Sequence, residues 1–476
     1  MTPRQVADVG VARLGLPIPL AKLVTIQAIA SALNDDATAE LYGDALIEWI
    51  GTRKLESQCL EALCPLVITE PRPALFERVQ KAIPRPSLAS DLLMSIVTNT
   101  AVVASSWTGS HSGSSQGRLD LAKEEKALRA GSFIPPVFTH KLEELQELSG
   151  YPFLRQWAYE YKTLLGQTGI RSDGHLDYFF ESERNNTGQF VAHRGHLARS
   201  AYLRTLAYAI QRWKMPNEDA FHYASVALPA DPIFLRVAPQ SAPAWASFVH
   251  GRSSADTSDP EKLVRTVIQQ IEQAEHAKLM HCSLAVVDEP RFHAELEVFA
   301  VVHIGKAIDA RKALGFYHSR LGLDTPFRHR RRAFISRPID STTARMLGFG
   351  PLVVPLLGPN VGYLQADLIS RPPFMPVSTR GVPKVILMPQ QDRAALLSEG
   401  REVGEWSWWL WNWKAGQPNE CPTPTACCSH LKEVVAQQMA DDLGGRLEHV
   451  WMLNIWQRDS DYAEWSTTEQ VGSIGY

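Results

Sequence analysis

The stretch GEWSWWLWNWKAG, Gly404 to Gly416, holds five of the thirteen tryptophans in a chain of 476 residues, and no other segment constrains the fold as tightly. Successive side chains of an extended strand point to opposite faces. Trp406 and Trp408 with Leu410 then share one face, and Trp409, Trp411 and Trp413 the other. Wetting two aromatic faces costs about 25 cal/mol per Å² of apolar surface. Such a strand belongs inside a sheet that is covered on both sides. A helix would gather Trp406, Trp409 and Trp413, but flanking Gly404 and Gly416 and the strand-like neighbours oppose it. Stacked indoles also serve as platforms for bases or sugars, as cation cages and as membrane-interface anchors. The two-faced pattern favours core packing.

The surrounding sequence agrees with a sheet. Residues 282–287, 295–304, 383–388 and 449–456 are rich in β-branched and aromatic side chains, with Asp288 to Arg291 as the turn of a first hairpin. Helical patterns fall between them at roughly 305–320, 390–398 and 429–443, the last closed by Gly444 and Gly445. Before residue 280 the period is helical. Leu23, Ile26, Ile29 and Leu33 form one stripe; Leu88, Leu92, Leu93, Ile96 and Val97 form another. Asp35 or Asp36 is placed to cap the second helix, Ser87 the last of that set, and Thr187 a long helix through Trp213. The segment from Thr257 has a full start signature, with Ser258 or Asp259 as cap, Pro260 in the first turn and Glu261 at the positive dipole end.

These patterns predict an α+β multidomain chain, with N-terminal and central all-α regions and a C-terminal α+β domain built on an aromatic-rich, largely antiparallel or mixed sheet. The expected division is 1–104, an N-terminal helical domain with a helical-repeat array as one option; 105–118, a Ser/Gly-rich linker; 119–280, a central helical domain; and 281–476, the α+β domain.

Composition narrows the class. Hydrophobic content of 45% with 21% charged residues fits a soluble globular protein and opposes disorder. A net charge of -3 gives no whole-molecule attraction to polyanions, so a nucleic-acid site would have to be a local patch. The N-terminus has no apolar run of leader length, and the six cysteines are unevenly spread, which together suggest a reducing cytoplasm. Met346 to Leu364 is uncharged over a length that could span a bilayer, yet prolines and glycines interrupt it. Two short buried strands, 352–357 and 361–364, joined at Gly358-Pro359-Asn360, are the expectation; lipid contact is the weaker alternative.

Four clusters could carry chemistry. Arg328, His329, Arg330, Arg331 and Arg332, with Arg337 close by, form a basic run that could neutralise phosphates or meet an acidic partner protein. His193, His196 and Arg199 recur at helical spacing and could bind an anion; a solvated surface or an interdomain contact is the plainer expectation. Cys421, Cys427, Cys428 and His430 are suitable zinc ligands. Adjacent Cys427 and Cys428 suit one tetrahedral ion poorly, so a proline-rich loop of reduced, partly buried cysteines is expected there, and no cofactor is predicted beyond zinc. His293 and Glu295 form the H-x-E element of zinc deaminases without its cysteine partners, so a strand with Glu295 and Glu297 turned to solvent is expected.

Phosphate-cradling glycine motifs are absent, and catalysis is left undecided. The leading expectation is a cytosolic interaction protein, an adaptor or sensor in a multi-component bacterial system such as stress response or phage defence, with a protein partner. Nucleic-acid or nucleotide binding through Arg328 to Arg332 is the alternative, and membrane contact the weakest.

Overall fold

Helix boundaries follow the capping chemistry. A computed structural model describes residues 1–105, 107, 120–130, 136–168, 193–305, 307–320, 341–355, 362–364, 374–376, 385–390, 392–410 and 425–475. The chain forms two compact units: Met1–Leu235 with a short return over Asn360–Leu368, and most of the chain from Arg236 to Tyr476.

The first unit is helical: α1 (Pro3–Ala12), α2 (Pro19–Asn34), α3 (Ala39–Gly51), α4 (Glu56–Val67), α5 (Pro73–Ala82), α6 (Leu88–Thr98), α7 (Ala122–Ala130), α8 (Pro136–Ser149), α9 (Phe153–Thr168), α10 (His193–Trp213) and α11 (Asn217–Ala224). Thr2 and Ser87 open α1 and α6 with reciprocal capping boxes, so the Ser87 expectation is met. Asp35 is not the cap of α3. The helix is entered through Thr38 without a side-chain cap, and Asp35 accepts the Ala37 N–H at 3.0 Å instead. Thr187 lies outside the described residues. The Ser/Gly segment is tied down where it starts. Asp91 of α6 accepts from the Ser105 backbone and hydroxyl, both at 2.8 Å, and from the Trp107 indole at 2.7 Å.

Two helices of this unit are buried almost all round. On α4 every residue except Gln58 is buried, and on α10 so is the whole run Gly195–Ala209. Helices covered on every side are normally apolar throughout. Here both carry acidic or basic side chains.

The second unit is built on a nine-stranded antiparallel sheet: β1 (Lys278–Glu289), β2 (Phe292–His303), β3 (Phe349–Pro351), β6 (Val385–Pro389), β7 (Arg393–Ser398), β8 (Arg401–Leu410), β9 (Thr425–Leu431), β10 (Arg446–Gln457) and β11 (Ser466–Gly475). The order is β11-β10-β2-β1-β9-β8-β7-β6, with β3 on β2; β4 (Val353–Pro355) and β5 (Phe374–Pro376) pair separately. Helices α12 (Ala246–His250), α13 (Pro260–Glu275), α14 (Ala310–Arg320) and α15 (Glu433–Asp442) accompany it. Asp259 caps α13 by accepting the Lys262 N–H at 3.1 Å. The sequence groups α13 with the central helices, but its stripe of Leu263, Val264, Val267, Ile268 and Ile271 joins the sheet core of Leu284, Leu296, Val298, Trp409, Trp451 and Leu453.

The tryptophan strand is interior. Trp406, Trp408 and Trp409 on β8 are each 0% exposed, and Trp409 belongs to the α13-side core. Two of the indoles are hydrogen-bonded: Trp408 donates to the Val237 carbonyl at 3.0 Å and Trp409 to His250 Nε2 at 3.2 Å. Trp411 and Trp413 lie outside the described residues.

Several local expectations are corrected. Residues 393–398, expected helical, are strand β7; a short apolar run such as Ala394-Ala395-Leu396-Leu397 has no decisive period, and pairing on both sides selected the strand. Thr425–Leu431 is likewise strand, and the helix after it begins only at Glu433. Of the two strands expected within 352–364, Val353–Pro355 forms, whereas Tyr363 and Leu364 are helical, with the Leu364 N–H held by the Pro229 carbonyl at 2.8 Å. Gly362 is required there, because a Cβ would fall 2.3 Å from Ala230 Cα. Glu295 and Glu297 do not face solvent. They are 9% and 1% exposed, because β2 is an interior strand covered on both faces. Among the described residues no helix is long and apolar enough to cross a membrane.

Truncating Trp409 should open a cavity in this core. Trp409→Ala is expected to cost about 3–5 kcal/mol in urea unfolding, while Tyr462→Ala, at a fully exposed position, should leave the midpoint unchanged.

Candidate functional site

The polar residues of α4 and α10 meet in one seam. On α10, His196, Arg199, Ser200 and Arg204 occupy successive turns of one face. Opposite them α4 supplies Glu56, Ser57 and Glu61, α2 supplies Lys22, and Tyr363 arrives on the returning segment. Arg199 Nε donates to Ser57 Oγ at 2.8 Å, and Ser57 Oγ lies 3.0 Å from His196 Nδ1. Arg199 Nη2 also reaches that Nδ1, at 3.2 Å. A guanidinium has no acceptor, so Nδ1 must accept and the imidazole proton sits on Nε2, 3.5 Å from Glu61 Oε1. Burial, followed by the Arg199 and Lys22 charges, holds the His196 pKa well below its ordinary value, which agrees with a neutral ring.

Glu61 is the hub of the seam. It takes Lys22 Nζ at 2.5 Å on one oxygen and the Tyr363 hydroxyl at 3.1 Å on the other. Lys22 also donates to the Leu14 carbonyl at 2.5 Å, and the Arg199 guanidinium stacks 3.5 Å above the Tyr363 ring. A second pair, Arg204 Nε to Glu56 Oε1 at 2.8 Å, continues the seam along α4 and α10. The order Ser57, His196, Glu61 resembles a hydroxyl–imidazole–carboxylate relay. With Ser57 0% exposed and its oxygen already accepting from Arg199, these groups close a hydrogen-bond circuit between helices. Thus His196 and Arg199, expected at a solvated surface or an interdomain contact, are interior, and the anion beside His196 is the chain's own Glu61. His193 opens α10 and is only partly buried.

The cysteine cluster is divided by strand geometry. Cys427 and Cys428 are consecutive on β9, so their side chains leave on opposite faces. Cys428 enters the α13-side core and is registered against Cys282 of β1. Burial pushes both the Cys282 and Cys428 thiols upward and keeps them protonated. His430 lies 3.6 Å from Glu275 and 3.6 Å from Glu405. Hydrogen bonding to His430, with Arg393 adding to it, holds the Glu405 carboxyl at about 2. Cys421 lies outside the described residues, and among the described residues no group of three or more metal-ligating side chains converges. The basic run Arg328, His329, Arg330, Arg331, Arg332 and Arg337 lies outside the described residues as well.

The remaining feature is the end of the sheet at β6. Among the described residues this strand pairs with β7 alone. The Gln390 N–H donates to the Arg393 carbonyl at 2.7 Å, which fixes the bonding parity of the hairpin. In an antiparallel ladder the backbone groups of alternate residues point to opposite sides. Gln390, Met388 and Ile386 therefore bond inward to β7, and Pro389, Leu387 and Val385 present theirs on the side away from β7, where no described strand pairs. Pro389 has no N–H to lose there, the usual place for proline in a sheet. Ile386 and Met388 share one face and are 51% and 49% exposed. The strand Val385-Ile386-Leu387-Met388-Pro389 contains no charge. Native edges are normally blunted by charge or cover; at the opposite edge, β11 carries Glu469 in an ion pair with Arg311 at 2.9 Å.

Sequence reasoning missed Lys22, Glu56, Ser57, Glu61 and Tyr363. A usable signal existed in ESQCLEALCPLV, where Glu61 interrupts the otherwise apolar run Cys59 to Val67. It missed the edge too, although VILMP, Val385 to Pro389, is an uncharged run closed by a proline. No protein-family model matches this chain, and no curated protein is significantly similar to it.

Removing one partner of a buried ion pair leaves an uncompensated charge. Lys22→Met should cost about 3–5 kcal/mol by urea unfolding, and Lys22→Met with Glu61→Leu should recover most of that loss. Because His196 stays neutral in the folded unit while the unfolded chain takes up a proton near pH 6.5, stability should fall as pH drops below about 6.5. His196→Gln should flatten that fall between roughly pH 6.5 and 5; an unchanged slope would mean that the ring is protonated in the fold.

Proposed function

We propose that this chain is an interaction protein that takes up an extended segment of a protein partner by strand addition at β6. The observation that carries this reading is the edge itself: outward backbone groups at Val385 and Leu387 beside the exposed pair Ile386 and Met388. In strand addition, main-chain hydrogen bonds supply affinity and alternate side chains supply selectivity. The preferred segment would be uncharged, with apolar residues two apart on the face that meets Ile386 and Met388.

The sheet is suited to this role because its end is rigidly held. β7 is fixed on β8, where Arg393 bonds Glu402 at 2.8 Å and pairs closely with Glu405. A preorganised edge loses little entropy on binding. Five described cysteines are free and buried, which supports a reducing, cytoplasmic setting. The stacked helices of the first unit would serve as the adaptor's second body.

The test is photocrosslinking in the native host, with benzoylphenylalanine replacing Met388 in the full chain. A discrete protein adduct is expected. Leu387→Pro should abolish it, since this substitution removes an outward N–H and leaves the inward bonds to β7 in place. No adduct with any protein, or an adduct indifferent to Leu387→Pro, would remove the reading.

A further inference from the structure

We infer that the segment β6 accepts is β6 of a second copy, so that two sheets join edge to edge about a two-fold axis at Leu387. The inference rests on the strand-addition reading and names its occupant. The strand's spacing is self-complementary. An antiparallel pair centred on Leu387 sets Leu387 opposite its own copy, Val385 opposite Pro389, and Ile386 opposite Met388.

Each type of contact then has a partner. Leu387 lies in the outward-bonding set, so the two Leu387 residues exchange two N–H to carbonyl bonds. Val385 N–H of each copy meets the Pro389 carbonyl of the other, and the N–H that proline lacks falls opposite a carbonyl only. Four backbone hydrogen bonds result. Ile386 and Met388 become a directly opposed, non-hydrogen-bonded pair, the arrangement in which side chains approach most closely. The four half-exposed side chains of the two copies thus cover one another on a single face.

Charge selects the same orientation. Lys384 precedes the strand in sequence, and Asp392 follows it. Antiparallel pairing brings the basic end of one copy beside the acidic end of the other, whereas parallel pairing would set like against like. Because the contact is isologous, it closes at two copies and does not propagate.

The experiment is sedimentation equilibrium of the full chain over micromolar concentrations, with oxidative crosslinking of Leu387→Cys alongside. The expected mass is twice the 53.0 kDa of one chain. Leu387→Pro, and separately Ile386→Lys with Met388→Lys, should each raise the dimer dissociation constant about tenfold or more at unchanged thermal stability. Leu387→Cys should form an intermolecular disulfide readily, since a directly opposed pair falls within disulfide reach. A dimer that persists in both edge variants and leaves Leu387→Cys uncrosslinked overturns the inference. So does a wild-type monomer; if the Met388 photocrosslinker still captures a different protein, only the self-pairing fails and the strand-addition reading stands. No mass change together with no adduct defeats both.

Discussion

Burial of the middle strands on both faces is the constraint on which the second unit depends. From Arg446 to Gln457, β10 is buried at every position but its ends, and so is β2. A strand in that position has no solvent face on which to place polar groups, so a partner inside lowers the cost of burying each one. His250 shows how: its Nδ1 meets the Ala285 carbonyl at 2.5 Å, its Nε2 receives the Trp409 indole, and burial lowers its pKa to about 4. His449, on β10, is likewise lowered by burial and reaches the Leu279 carbonyl at 2.8 Å. Neutral imidazoles can act as interior linkers because each offers one donor and one acceptor.

The first unit solves the same problem with helices. α4 and α10 are enclosed, yet between them they hold two glutamates, two arginines and a histidine, with Lys22 reaching in from α2. A buried ion pair adds little net stability compared with apolar residues of equal volume. What it can add is register, since Lys22, Ser57, His196 and Tyr363 satisfy one another only when α2, α4, α10 and the returning segment are aligned. The Tyr363–Glu61 bond alone connects residues 302 positions apart.

Where enclosure stops, recognition becomes possible. Passing from β1 through β9, β8 and β7 to β6, the sheet goes from strands covered on both faces to one whose apolar side chains are half exposed. The same β-branched and aliphatic chemistry that makes an interior strand makes an exposed edge adhesive. Function on this reading lies in the backbone and in simple apolar spacing, without a reactive group, and a chain built that way carries no catalytic signature for a motif search to find.

Local pattern settled a good deal from sequence alone. Ser87 and Asp259 announced their helices because capping is a contact within four residues. The hairpin of β1 and β2 followed from its turn, and the α+β class followed from the change of period near residue 280. The alternation of Trp406, Trp408 and Trp409 was enough to require a strand covered on both sides. Tertiary structure alone decided what that cover is and which polar residues it traps. Glu297 alternates like a solvent-facing residue, and the His196 and Arg199 spacing reads as a surface stripe. Both are interior because strands and helices distant in sequence close over them. Periodicity records which side chains share a face, whereas burial depends on what lies across from that face, and that is set by contacts no local window contains.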